Sequence, residues 1–108
     1  MTKQDKPPYM KVLESLRKND PEFAETIVHT IKAVDGEALD KKTKELIKLA
    51  VSSVLGVEEG VKIHGQEARN LGATKEEIAE TVRIVFLSTG IPGLYSAINA
   101  FEESTTVP

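Results

Sequence analysis

Between Leu46 and Leu55 only Lys48, Ser52 and Ser53 interrupt a run of apolar residues. A helix built from such a stretch is apolar on most of its circumference, so it has to lie centrally with other elements packed around it. Asp40 stands where an N-cap belongs, which predicts this helix over roughly 41–56. Its neighbours read as helices too. Met10, Leu13 and Leu16 repeat at helical spacing after Pro7-Pro8. Asn19-Asp20-Pro21 supplies a stop and a new start, with Asp20 as N-cap and Pro21 at the first helical position. Phe23, Ile27, Ile31 and Val34 form the expected buried stripe of that second helix, and Asp35-Gly36 ends it.

Beyond the central segment the pattern continues. Val57, Val61, His64, Ala68 and Leu71 share one face of a helix over 57–71, closed by Leu71-Gly72-Ala73. Thr74 and Glu77 form a Thr-x-x-Glu capping box, which opens a helix with Ile78, Val82, Val85, Phe86 and Thr89 inward. Gly90-Ile91-Pro92-Gly93 predicts a break, after which Leu94, Ala97, Ile98 and Phe101 begin the last helix. No stretch alternates as a strand does. The expectation is an all-α, single-domain bundle of about six helices, with the helices at 41–56 and 57–71 packed as an antiparallel pair.

Composition narrows the function. The 108 residues contain no cysteine, which excludes disulfides, thiolate metal sites, CxxC redox chemistry and a cysteine nucleophile. With only His29 and His64, one chain cannot build a three-histidine metal site, and no cofactor motif such as a phosphate-binding glycine loop is present. Fourteen basic against 17 acidic residues leave a net charge of −3, with little electrostatic reason to bind nucleic acid or an anionic membrane. Ile84 to Phe101 carries no charge, but Ser88, Thr89, Gly90, Pro92, Gly93, Ser96 and Asn99 break it as a membrane span. Met1 to Pro8 lacks the apolar run of a signal peptide, so a cytoplasmic location is expected.

His64 is the first candidate for chemistry. It occupies a stripe position, where a polar ring needs a partner or a cavity. Gly60, one turn earlier on the same face, predicts open space beside the imidazole. A core histidine satisfied by a nearby carboxylate or carbonyl explains the same pattern. Glu45 is the second candidate, placed at the border of solvated and buried surface. It reads equally as a helix-dipole glutamate, or as one paired with Lys41 or Lys48. Glu58, Glu59 and Glu67 flank the histidine. Glu58 with Lys62 reads as a solvated i, i+4 pair, and Glu67 is near enough to orient the ring. His29 falls on the polar face of its helix and is expected to be exposed. Ser52, Ser53, Ser88 and Ser96 have no visible base partner and read as small packing residues.

The segment Leu39-Asp40-Lys41-Lys42-Thr43-Lys44-Glu45-Leu46-Ile47, the small-and-apolar helix to Gly56, and then His64 resemble the carboxymuconolactone decarboxylase and alkylhydroperoxidase D-like family. Leu71 to Glu80 and the Gly90-Ile91-Pro92-Gly93 break are also similar to it. The resemblance spans roughly Pro21 to Glu103. It implies an N-terminal extension with a short helix at 1–20, a family helical domain at 21–103 and a tail at 104–108. In the redox branch a glutamate precedes a Cys-x-x-Cys-x-x-x-His motif. Registered on Glu45 and His64, that motif puts Val57 and Gly60 where the cysteines stand. Thiol peroxidase activity is therefore not expected. The decarboxylase branch lacks the cysteine pair and keeps the histidine.

The resemblance implies Glu45 and His64 as catalytic residues acting by acid–base chemistry on a small lactone or carboxylate, without cofactor or metal. The alternative is a non-catalytic, oligomeric small-molecule-binding protein that has lost the family's redox cysteines. Two nearly charge-free stretches in so short a chain also predict a homo-oligomer, because contiguous exposed apolar surface marks interfaces. The step to a hexamer comes from the resemblance alone.

Overall fold

The computed structural model describes residues 8–101. All of its regular structure is helical: α1 (Pro8–Asn19), α2 (Pro21–Val34), α3 (Lys41–Leu55), α4 (Glu58–Asn70), α5 (Lys75–Thr89), α6 (Ile91–Ala97) and a closing 3-10 turn (Ile98–Phe101). The chain divides into two compact units, one ending at Ala38 and one starting at Leu39. Among the described residues no helix is long and apolar enough to cross a membrane.

In the first unit α1 and α2 pack on each other. Asp20 caps α2 by accepting a hydrogen bond from the Phe23 N–H at 3.3 Å, and Pro21 opens the helix. Leu13 and Ala24 are buried. The stripe expected of α2 is not: Ile27 is half-buried, and Phe23, Ile31 and Val34 are exposed. A single partner helix covers only one side of an apolar stripe, and the small Ala24 is what permits that close approach.

The second unit holds the main core of Leu49, Val61, Ala68, Ile78, Val82, Val85, Ala97 and Ala100. Helix α3 is its centre and packs against α4, α5 and α6. Asp40 accepts from the Thr43 N–H at 2.8 Å to start α3, and Gly56, at φ +76°, ends it in the left-handed conformation that glycine adopts without strain. The α3–α4 turn then needs only Gly56 and Val57. Position 45 meets 64 and position 52 meets 60, so residue numbers run in opposite directions across the seam. The pair is antiparallel, as its short turn requires.

The capping box of α5 is complete. The Thr74 N–H donates to Glu77 Oε1 at 2.9 Å, and the Glu77 N–H donates to Thr74 Oγ1 at 3.0 Å. Lys42 of α3 donates to the other Glu77 oxygen at 3.1 Å, tying the starts of the two helices. Gly90 alone makes the break after α5, and α6 begins at Ile91, three residues earlier than expected. Pro92 does not delay it, because the first-turn N–H groups have no intrahelical partner to lose.

Two expectations about burial require correction. Helix α3 is not covered on most of its circumference: Leu49 and Ser53 are buried, while Ile47, Val51, Val54 and Leu55 are exposed. Elsewhere in this unit Val57, Leu71, Phe86 and Ile98 are exposed as well. Four helices and a turn supply fewer neighbours than an apolar helix can use. The unit spends its small residues, such as Ala68, Ala97 and Ala100, on close packing at one side of α3.

Candidate functional site

Glu45 lies in the second turn of α3 and His64 in the middle of α4, and the antiparallel packing sets them opposite each other. His64 Nδ1 and Glu45 Oε1 are 2.7 Å apart, a short hydrogen bond between side chains that are 22% and 15% exposed. The second carboxylate oxygen, Oε2, accepts from Lys48 Nζ at 3.3 Å. Lys48 is one turn further along α3 and more exposed, so its flexible chain reaches the carboxylate from the solvent side.

The geometry fixes the roles of the ring nitrogens. A carboxylate only accepts, so the nitrogen facing it, Nδ1, carries the hydrogen. In the neutral ring that leaves Nε2 with its lone pair, able to take up a proton and return it. Among the described residues none is recorded as a hydrogen-bond partner of Nε2. A carboxylate–imidazole pair oriented this way can act as a base and as an acid at the far nitrogen.

Two further residues complete the seam. Ser52 stands seven positions after Glu45, two turns along the same face of α3. Gly60 stands one turn before His64. A Cβ added at Gly60 would lie 2.8 Å from Ser52 Oγ, 3.2 Å from Ser52 Cβ and 3.4 Å from Val57 Cγ1. The space beside the imidazole on this side is therefore not open, as the glycine alone predicted. The Ser52 side chain fills the place where a side chain at position 60 would start. Ser52 is thus the small packing residue it was expected to be, and its partner is Gly60 of the facing helix.

The other candidates stay outside. Glu58, Glu59 and Glu67 are exposed, and none is recorded as bonded to His64. His29 is exposed on α2, 3.7 Å from Glu25. One cavity of the second unit, of about 230 Å³, is lined by Ala50, Val51, Val54, Leu55, Ile84, Val85 and Ser88. Another, of similar volume, is lined by Arg69, Ala73, Lys75, Ile78 and Phe101. Neither is lined by Glu45 or His64. The Glu45–His64 pair sits at a half-buried seam.

A sequence profile described as the carboxymuconolactone decarboxylase family matches residues 21–103. The chain belongs to that family. A protein of Methanocaldococcus jannaschii, described only as uncharacterized, is 36% identical over 94 residues, which cover 86% of this chain and 88% of that one. The 4-carboxymuconolactone decarboxylase of Acinetobacter baylyi is 32% identical over 65 residues, covering 60% of this chain and 48% of its own length. Among solved structures, the apo form of a carboxymuconolactone decarboxylase family protein from Legionella pneumophila superposes with a TM-score of 0.71. It is 35% identical, over 85% of this chain and 83% of that one. The family assignment and the all-α fold agree with the resemblance seen in the sequence.

Proposed function

We propose that this family member carries out acid–base chemistry, a decarboxylation or isomerisation, on a small lactone or carboxylate, with Glu45 and His64 as its catalytic residues. The observation that carries the reading is the 2.7 Å contact between Glu45 Oε1 and His64 Nδ1. When a carboxylate leaves as carbon dioxide, the electron pair of the broken bond moves into a conjugated carbonyl and a proton must then be delivered to carbon. An isomerisation removes a proton from one carbon and returns it to another. Both need one group that binds and releases a proton near neutral pH, which histidine does. Glu45 holds the ring by Nδ1 and stabilises the imidazolium that forms when Nε2 is protonated, while Lys48 keeps the carboxylate itself in place.

Assembly is part of the proposal. Leu55 is 71% exposed, Leu87 80% and Tyr95 75%, and Val51, Val54, Ile84 and Ile91 add to the uncovered apolar surface of the second unit. Apolar surface of this kind, charge-free from Ile84 to Phe101, fits a second copy of the same chain. A closed homo-oligomer follows, with the hexamer as the form the family resemblance implies and the cytoplasm as its setting. An oligomer that binds such acids without turning them over is the competing reading, and it is favoured by the apolar cavity between α3 and α5, which no titratable side chain lines.

Turnover separates the two. Purified protein is incubated with 4-carboxymuconolactone and related lactone acids, and substrate loss is followed by absorbance. Acid–base catalysis predicts turnover that falls by about 100-fold or more in His64→Ala. Binding without turnover by the wild type, or turnover unchanged in His64→Ala, contradicts it.

A further inference from the structure

We propose that the cavity at the end of α4, remote in its lining from Glu45 and His64, is a binding site for a small carboxylate with an apolar body. It goes beyond the acid–base reading and does not depend on it. The cavity holds about 230 Å³ and is lined by Arg69, Ala73, Lys75, Ile78 and Phe101. Among the described lining residues two are cations and none is acidic. This volume is below the roughly 300–1,000 Å³ of sites for drug-sized ligands, so its occupant is small.

Arg69 gives the cavity its direction. One guanidinium nitrogen, Nη2, donates to the Ala100 carbonyl and so caps the closing 3-10 turn. The other, Nη1, is buried and has no hydrogen-bond partner. A buried guanidinium N–H left unpaired is costly, and such groups are nearly always satisfied by protein, solvent or ligand. Because Nη2 already holds its position, Nη1 is fixed in place with it. Lys75 opens α5, and its ammonium is the second cation of the lining. The rest of the described lining, Ala73, Ile78 and Phe101, is apolar. That lining suits an apolar body carrying one carboxylate better than it suits phosphate, which asks for more donors than one free guanidinium nitrogen and one ammonium provide.

The purely structural role of Arg69 as a cap predicts no ligand, so the test reads binding. Amide and methyl NMR spectra of the full chain are titrated with benzoate, with benzyl alcohol and inorganic phosphate as comparisons. The expected result is saturable shifts at Ala73, Lys75 and Ile78 with benzoate in the millimolar range, weaker with either comparison. Lys75→Glu should weaken benzoate binding about tenfold. It should also leave the fold intact, because an acid in the first turn suits the helix dipole. Arg69→Met should abolish the binding, and His64→Ala should leave it unchanged. Several results overturn the proposal: no saturable shift with benzoate, equal binding of benzyl alcohol or of phosphate, or insensitivity to Lys75→Glu. Binding that appears only after Glu102 and Glu103 are changed to Gln also overturns it, since the site would then serve the chain's own acids.

Discussion

Gly60→Ala tests whether the seam between α3 and α4 is built as described. Gly60 lies inside α4, where replacing glycine by alanine ordinarily gains about 1 kcal/mol of helix stability. The new methyl group would lie 2.8 Å from Ser52 Oγ and 3.2 Å from Ser52 Cβ. The hydroxyl can rotate away, but the Cβ contact yields only if the two helices part by a few tenths of an ångström. Overpacking of this kind costs about 1–3 kcal/mol, so the single variant should be less stable than wild type by about 1 kcal/mol. Ser52→Gly removes both of these atoms. In that background Gly60→Ala should come out neutral or stabilising, giving a coupling of about 1 kcal/mol between the two sites. The cycle is measured by urea unfolding at one fixed protein concentration, because assembly contributes to apparent stability. If Gly60→Ala gains the full helix-propensity increment in both backgrounds, Ser52 does not pack over Gly60 and the description of the seam is wrong.

Three further outcomes follow from other parts of the structure. Gly93→Ala places a methyl group 2.8 Å from Thr89 Cβ and 3.0 Å from Val85 Cγ1, and thermal melting should show a loss of about 2–4 kcal/mol. Hydrogen bonds from the Thr74 backbone and then from Lys42 hold the Glu77 carboxyl below its usual range, and bonds from the Thr43 side chain and backbone do the same for Asp40. Groups with depressed values stabilise the fold above the ordinary carboxylate range and lose that contribution as pH falls through the lowered values. The acid limb of a stability-versus-pH curve should therefore flatten in Glu77→Gln. Leu87→Lys places a charge at an 80% exposed apolar position and should shift sedimentation toward the 11.8 kDa of one chain, whereas an unchanged mass removes this face from the interface.

The elements were legible because each carries its own punctuation. Asp20, Asp40 and Thr74 cap the helices they precede, and Gly56 and Gly90 take the positive φ values that end α3 and α5. Local chemistry of this kind acts within one turn, so it is visible in a single sequence. Burial was less legible. The stripe Phe23, Ile31 and Val34 has the right period, yet period states only which face is apolar and not how many neighbours arrive to cover it. The same holds for Val51, Val54 and Leu55 on α3. At the candidate site, Glu45 and His64 each stood out from their own positions, but their pairing came from the family resemblance, because 19 residues and a turn separate them and periodicity within one helix says nothing of contact across two. The packing of Ser52 over Gly60 is invisible in the sequence for the same reason, because Gly60 lies on the facing helix. The lone Nη1 of Arg69 needs coordinates to be seen at all.

The central claim is that His64, held by Glu45, moves a proton at carbon. Its most direct test runs the turnover of 4-carboxymuconolactone in deuterium oxide and locates the label in the product by NMR. The account predicts deuterium at a single stereochemical position with wild-type protein, slower turnover with the same placement in Glu45→Gln, and no turnover above background in His64→Ala. Product labelled equally at both faces, or turnover that survives His64→Ala with unchanged stereochemistry, would show that the proton comes from elsewhere.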